Sequence, residues 1–448
     1  MVLELDDIQG NILRGYTFGR GVHLFVRFPD ARSGRAFLNT IVGELETATR
    51  WPRDRRPETA LNVALTYAGL EALDVDGTTL PEAFREPLTE RAERLLGDDV
   101  DQWQGDLGRG RAHALLLVAG PSTGAALAAR VDRLIEQVEN HRLEVVFRQQ
   151  VQALKDQREH FGFADGLGQP AVEGAEQRYA GQGDPGPFGS WRDLKAGEFL
   201  HGYEDEDGGL PEAPAPPFDR NGTFVVWRKL AMDVAAFRRF VAEQGGRFPG
   251  GPDLLAAKLV GRWPDGTPLV RSPSRPDAAL AADPARINDF TFSEDPDGRR
   301  CPLGAHVRRA HPRDSPGFFG GRLTNRHRII RRGRPYGSPL APGALEDDGV
   351  ERGLVFVCFN ADIWRQFETI QALWIDDGDP FGLGPDKDFL VGEPGAQDGG
   401  KMTIQGDPPH FLRPQPRFVT VRGGEYLYRP SMTGLRALAG LDGLLGSR

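Results

Sequence analysis

The order of hydrophobic periodicities limits how this chain can fold more tightly than any single motif. Val22, Leu24, Val26 and Phe28 alternate with His23, Phe25 and Arg27. A period of two places one set on one face, so this segment is expected to be a strand. Phe37, Ile41 and Leu45 then fall at helical spacing, and Leu61, Val63, Leu65 and Tyr67 alternate as a second strand. Residues 81–95 read as helical, 113–118 as a third strand, 121–139 as a helix with Leu127, Val131, Leu134 and Val138 on one face, and 143–148 as a fourth strand. The order β-α-β, β-α-β with an extra helix matches a split βαβ, ferredoxin-like unit.

The pattern recurs. A strand is expected at 223–229, a helix at 233–242, strands at 327–330 and 354–359, a helix at 363–373 and a closing strand at 418–421. We read an α+β protein of two ferredoxin-like domains, each an antiparallel sheet with helices, rather than one large sheet. Between them, residues 160–220 are rich in Gly and Pro and include the acidic run Glu204-Asp205-Glu206-Asp207. Such composition means irregular backbone. The expected domains are therefore 1–170 and 171–448. A second irregular segment is expected over 376–410, and an apolar terminal helix over 434–446.

The chain's 448 residues and 39% hydrophobic content suit a globular protein with a substantial core. A net charge of −9 argues against nucleic acid or anionic membrane as a partner. No apolar run approaches the ~20 residues of a membrane span. The start has no export signal, and Cys301 and Cys358 have no metal-ligand spacing. A cytoplasmic location is the expectation. Nothing in the sequence fixes the oligomeric state.

GxGxxG after a strand, GxxxxGK[ST], HExxH and GxSxG are all absent. What remains is Gly162-Phe163-Ala164-Asp165-Gly166, and about 140 residues later an Arg-crowded stretch. Glycines on either side of Asp165 let the backbone bend sharply and aim the carboxylate into a cavity, although an Asx-turn would also explain the pentapeptide. Small residues in Cys301-Pro302-Leu303-Gly304-Ala305 leave room for something large and flat beside His306. Nine arginines between Arg308 and Arg334 could hold anionic groups, or simply form a solvated basic face. These residues alone also admit a metal-dependent phosphoesterase built on Asp165, several histidines and the arginines, without a compact HxH or DxH motif.

The same residues resemble the dye-decolourising peroxidase family, in the branch that includes the fungal enzymes. GFADG with Gln169-Pro170 resembles its GxxDG signature, and 301–313 its proximal haem-ligand region. Ile329-Ile330-Arg331-Arg332-Gly333-Arg334-Pro335-Tyr336-Gly337 is similar to its distal arginine segment. Ile8-Gln9-Gly10-Asn11-Ile12-Leu13, Gln366-Phe367-Glu368-Thr369-Ile370-Gln371 with Trp374, and 419–426 also match. The resemblance implies one haem b per chain, held mainly by the second domain, and oxidation of dyes, phenols and other bulky aromatic compounds by hydrogen peroxide through a ferryl state.

Residue by residue, it implies His306 as axial ligand of the haem iron, Asp165 as distal acid/base and Arg331 as distal cation. Asp388 would partner His306, although Phe389-Leu390 stands where the family has Pro-Ile. Arg308 would meet a haem propionate, and Leu354 and Phe356 would flank the distal face. Tyr336 and Trp374 stand where relatives carry surface aromatics that relay electrons. His311, His160 and His327 are read as structural. An acidic activity optimum is expected. The fold also leaves room for a haem-binding, iron-release protein without peroxidase turnover.

Overall fold

The computed structural model describes residues 2–52, 54–123, 125–175, 179–393 and 400–441. The first unit contains β1 (Arg20–Arg27), α1 (Ala31–Val42), β2 (Ala60–Leu65), β3 (Ala114–Gly120), α2 (Ala126–Asn140) and β4 (Glu144–Gln152). Residues 82–96 form short helical turns between β2 and β3. The second unit contains β5 (Thr223–Met232), α3 (Val234–Gly245), α4 (Gly251–Val260), α5 (His306–Ala310), β6 (Ile330–Arg331), β7 (Arg334–Tyr336), β8 (Gly353–Asn360), β9 (Val419–Arg429) and α6 (Met432–Leu438). Asp30 and Asp233 cap α1 and α3 by accepting the N–H of Ser33 and Ala236.

Both units keep the expected element order, but their strands join in one antiparallel sheet. Its order is β4-β1-β3-β2-β9-β5-β8-β6, with β7 also on β8. The expectation of two separate sheets is thereby corrected. The junction is the pair Tyr428↔Leu65, between β9 and β2. It depends on β9 being eleven residues long rather than the short 418–421 strand expected. The register shifts at Val421/Gly423, a bulge next to Gly423-Gly424 from which pairing with β5 resumes.

The expected strand 327–330 shrinks to Ile330–Arg331, because the backbone N–H groups of His327 and Arg328 donate back to the carbonyls of Thr324 (3.1 Å) and Asn325 (3.4 Å). The expected helix 363–373 consists of two π-helical segments, Ile363–Glu368 and Ile370–Ile375. The terminal helix spans Met432–Leu438, and residues 442–446 of that expectation lie outside the described residues.

Alternation feeds two cores. Phe25, Leu115, Trp227, Val355 and Phe359 cluster between the halves, so the sheet curls over on itself. Val22, Leu24, Leu61, Leu116 and Val226 face the other way, against α1, α2 and α6. Burial of Trp227 is matched by a bond to His23 Nδ1 at 2.9 Å. Among the described residues, no helix is long and apolar enough to cross a membrane.

Candidate active site

The Asp165 loop is built from its own backbone. Gly162 and Gly166 adopt φ of +103° and +77°, the left-handed region that glycine enters without strain. Asp165 N–H donates to the Gln157 carbonyl (3.0 Å) and Ala164 N–H to that of Pro264 (3.0 Å). Glu159 pins the turn, accepting Phe161 N–H at 2.7 Å and Phe163 N–H at 2.8 Å with its two oxygens. Burial pushes Glu159 up to about 7, against those two bonds. Asp165 Oδ1 accepts Gly166 N–H (2.6 Å), and the side chain is exposed to a cavity of about 1120 Å³ that Arg331 also lines.

Arg331 is placed by register. It pairs with Cys358 across β6 and β8, and antiparallel partners share a face. Arg331 therefore lies on the face of β8 that carries Cys358, Phe356 and Leu354. Its backbone N–H donates to Gln169 Oε1 (3.0 Å), which ties this strand to the segment just beyond Asp165. Its guanidinium has no hydrogen-bond acceptor among the described residues.

His306 opens α5, and its Nδ1 lies 2.9 Å from Asp388 Oδ2. Asp388 is fully buried, and its Oδ1 accepts the N–H groups of Leu390 (2.9 Å) and Val391 (3.0 Å). Burial works against the charged imidazole, but the Asp388 carboxylate outweighs it and raises the His306 pKa. Burial likewise opposes ionisation of Asp388, and His306 with Arg309 overcomes it, so that pKa falls. Arg309 fixes this arrangement by donating to the carbonyls of Trp374 (2.9 Å), Asp377 (3.0 Å) and Asp386 (2.6 Å). The charges of Arg331 and Asp165 both act on the His306 ring, so the three groups border one region.

That region has the chemistry of a haem seat. Although His306 sits deep in the protein, 34% of its side-chain surface is open, and its Nε2 is bonded to no described residue. Leu354 and Phe356 are half-open, between the fully buried Val355 and Val357. An imidazole with an open nitrogen, together with half-open apolar strand residues, suits a flat macrocycle with an iron at its centre. Burial, with the charges of Arg328, Arg313, Arg331 and Arg262, lowers the His311 pKa well below the usual imidazole range. Arg328 Nη1 is a buried donor without a partner among the described residues, as a site awaiting carboxylates requires. The 1120 Å³ cavity is lined by Asp165 and Arg331 but not by His306, so it adjoins those two groups and is not the seat itself.

Arg308 is fully buried, lies over Phe292 (4.4 Å), and donates to Asp295 (3.4 Å) and the Cys301 carbonyl (2.9 Å), while its Nη2 is a buried donor without a partner among the described residues. Tyr336 and Trp374 are both buried rather than at the surface. Lys229 sits 4.8 Å from the Tyr336 ring centre, and the Tyr336 hydroxyl lacks hydrogen-bonding geometry to a described partner although Glu351 is nearby. Trp374 packs edge-on against His327 (5.0 Å) and Phe318 (5.5 Å). His160 bonds the Tyr336 carbonyl at 2.7 Å. Glu159 is not singled out by sequence; Gln169 enters there only beside GFADG, and Arg309, Arg313 and Arg328 only as members of the Arg-crowded stretch. Among the described residues, no group of three or more His, Cys, Asp or Glu side chains could hold a separate metal ion.

Comparison with known proteins agrees along the whole chain. Residues 7–156 match the model of the DyP dimeric alpha+beta barrel domain, and 210–381 that of the Dyp-type peroxidase C-terminal domain. The chain is 32% identical to a dye-decolorizing peroxidase of Mycena epipterygia, over 98% of this chain and 87% of that protein. It is 29% identical to a multifunctional dye peroxidase of an Amycolatopsis species, over 97% of this chain and 96% of that one. A solved dye-decolorizing peroxidase in complex with 2,6-dimethoxyphenol superposes with a TM-score of 0.86 at 27% identity, covering 98% of this chain and all of the other.

Proposed function

The chain belongs to the dye-decolorizing peroxidase family and is a haem peroxidase, and from that premise we propose that His306, Asp165 and Arg331 carry its chemistry. The observation that supports this best is that the buried Asp388 holds His306 Nδ1 at 2.9 Å and leaves the other ring nitrogen open, while Asp165 and Arg331 line one cavity together. One haem b per chain would be held by His306 Nε2, with Leu354 and Phe356 against its face and Arg313 and Arg328 at its propionates. When bound, the haem supplies the iron that takes peroxide and the oxidising equivalents later drawn from aromatic reductants.

Asp388 Oδ2 keeps His306 in the tautomer that presents Nε2, and makes that nitrogen a stronger donor. On the opposite side, Asp165 takes a proton from one peroxide oxygen on Oδ2, the oxygen not held by Gly166 N–H, and returns it to the departing oxygen. Arg331, always charged and without an internal acceptor, stabilises the negative charge that builds up as the O–O bond breaks. The cavity beside Asp165 and Arg331 admits the reductant, an aromatic compound such as a phenol or dye.

Asp165→Asn and Arg331→Leu test the assignment. Both variants should retain a haem absorption spectrum like the parent's and lose at least ~100-fold in the rate of reaction with hydrogen peroxide, followed by stopped-flow absorbance. An Asp165→Asn protein that reacts with peroxide at the parental rate would remove the acid/base role. His306→Ala should change or abolish haem ligation instead.

A further inference from the structure

The 1120 Å³ cavity has an unusual charge pattern for a chain of net charge −9. Arg14, Arg50, Arg158, Arg331, Arg332 and Arg334 line it, and Asp165 is the only acidic residue among the described residues that line it. Arg50 apart, none of these arginines has a carboxylate ion-pair partner among the described residues. Four of them are held by neutral backbone carbonyls instead. Arg14 donates to Thr49, Arg158 to Gly162 (2.8 Å), Arg332 to Asn11 (3.1 Å) and Ile12 (3.0 Å), and Arg334 to Phe18 and Tyr16 (2.7 Å). A carbonyl fixes a guanidinium in place without cancelling its charge. Burial accordingly presses down the pKa of Arg14 and Arg334, and pushes that of Arg332 to about 10.

The same wall is aromatic. Trp51 stacks on Tyr16 (5.1 Å between centroids, 25°), Arg14 lies 4.1 Å over the indole, and both rings line the cavity. Glu46 takes the indole N–H (2.7 Å) and does not line the cavity. A cleft of one sign with low-dielectric walls concentrates its field on whatever enters.

We infer that this cavity selects aromatic reductants bearing a carboxylate or sulfonate over neutral ones of the same size, with Arg14, Arg332 and Arg334 as its specificity determinants. The inference rests on the reading of Asp165 and Arg331 as the reacting end of the cavity. It concerns the encounter and binding of the reductant, not the peroxide step. Attraction of this kind weakens as salt screens the charges.

The test compares 4-hydroxy-3,5-dimethoxybenzoate with its neutral methyl ester, which present the same phenol for oxidation, using the haem-loaded enzyme at low and high salt. The anion should show the lower KM at low salt, and raising salt should erase most of that preference. Arg14→Gln should raise KM for the anion, by about tenfold, and leave the ester's unchanged; Arg14→Lys, which keeps the charge, should preserve the preference. Taking the ratio between variants cancels the intrinsic difference in ease of oxidation of the two phenols. A second readout needs no turnover: calorimetric titration with naphthalene-2-sulfonate should show binding that Arg14→Gln and Arg334→Gln weaken and 2-naphthol does not match. A preference indifferent to salt and to these substitutions, with both phenols still oxidised, would overturn the inference while leaving the peroxidase reading intact. If neither phenol is oxidised, the reading of the reacting end fails instead, and the titration alone decides the cavity's selectivity.

Discussion

Each oxygen of Asp388 has a separate task. Oδ2 takes His306, and Oδ1 accepts Leu390 and Val391 N–H. Replacement by Asn keeps one acceptor and removes the charge. Asp388→Asn is therefore expected to retain haem, raise its reduction potential and lower turnover by roughly 10–100-fold. Spectroelectrochemistry and steady-state rates check this, and an unchanged potential would mean that Asp388 merely packs. The residues of this centre were legible where the signal was local: two glycines around an Asp, and small residues before a His. The links that complete it were not, since Gln169 meets Arg331 162 positions later, and Glu159 bonds backbone rather than a side chain that sequence would advertise. Depth was also illegible. Tyr336 and Trp374 are buried, so as relays they would pass electrons through protein and not by contact with a dye. Replacing both with Phe should then lower bulky-dye turnover several-fold and leave small phenols nearly untouched; equal turnover of the dye would discard the role.

At the scale of elements, the Asp388 segment is anchored by the two residues after it. Phe389 is fully buried against Phe240 (5.3 Å) and Phe418 (6.2 Å), in a cluster that also contains Phe163 from the Asp165 loop. One apolar cluster thus supports both sides of the proposed haem seat. Phe389 and Leu390, which stand where the family resemblance leads one to expect Pro-Ile, both fill this cluster with their side chains. Phe389→Ala should cost about 3–5 kcal/mol of stability and, by loosening Asp388, weaken haem retention. Denaturant midpoints and haem transfer to an acceptor protein measure the two effects. Loss of stability without faster haem loss would separate the cluster from the site. Strands were readable wherever alternation was strict, as in β1 and β2. The π-helical segments 363–375 and the bulge in β9 were not, because both break the periodicity that reveals them.

For the whole molecule, the joining of the two units in one sheet makes contacts between them part of the folding equilibrium. Glu425 on β9 is the clearest case. It is buried, and its Oε1 accepts Gly108 N–H (2.6 Å) from the first unit. Burial, only partly offset by that bond, pushes its pKa from 4.5 up to about 8. Between those values the unfolded chain releases the proton and the folded chain keeps it. The folded state then binds more protons, so stability is full below pH 4.5, falls as pH rises toward 8, and is flat above. Glu425→Gln keeps a neutral acceptor for Gly108 and has no proton to lose. The variant should match the parent near pH 4.5 and exceed it near pH 8, by on the order of 4 kcal/mol. Glu159 and Glu198, both pushed up to about 7 by burial, act in the same direction, so the variant's slope is reduced and not abolished. Urea midpoints of parent and variant, measured at both pH values with haem bound, cancel whatever pH dependence the two share. A difference that stays constant from pH 4.5 to pH 8 would show that Glu425 is already ionised in the folded protein, and that the contact between the units tolerates a buried charge.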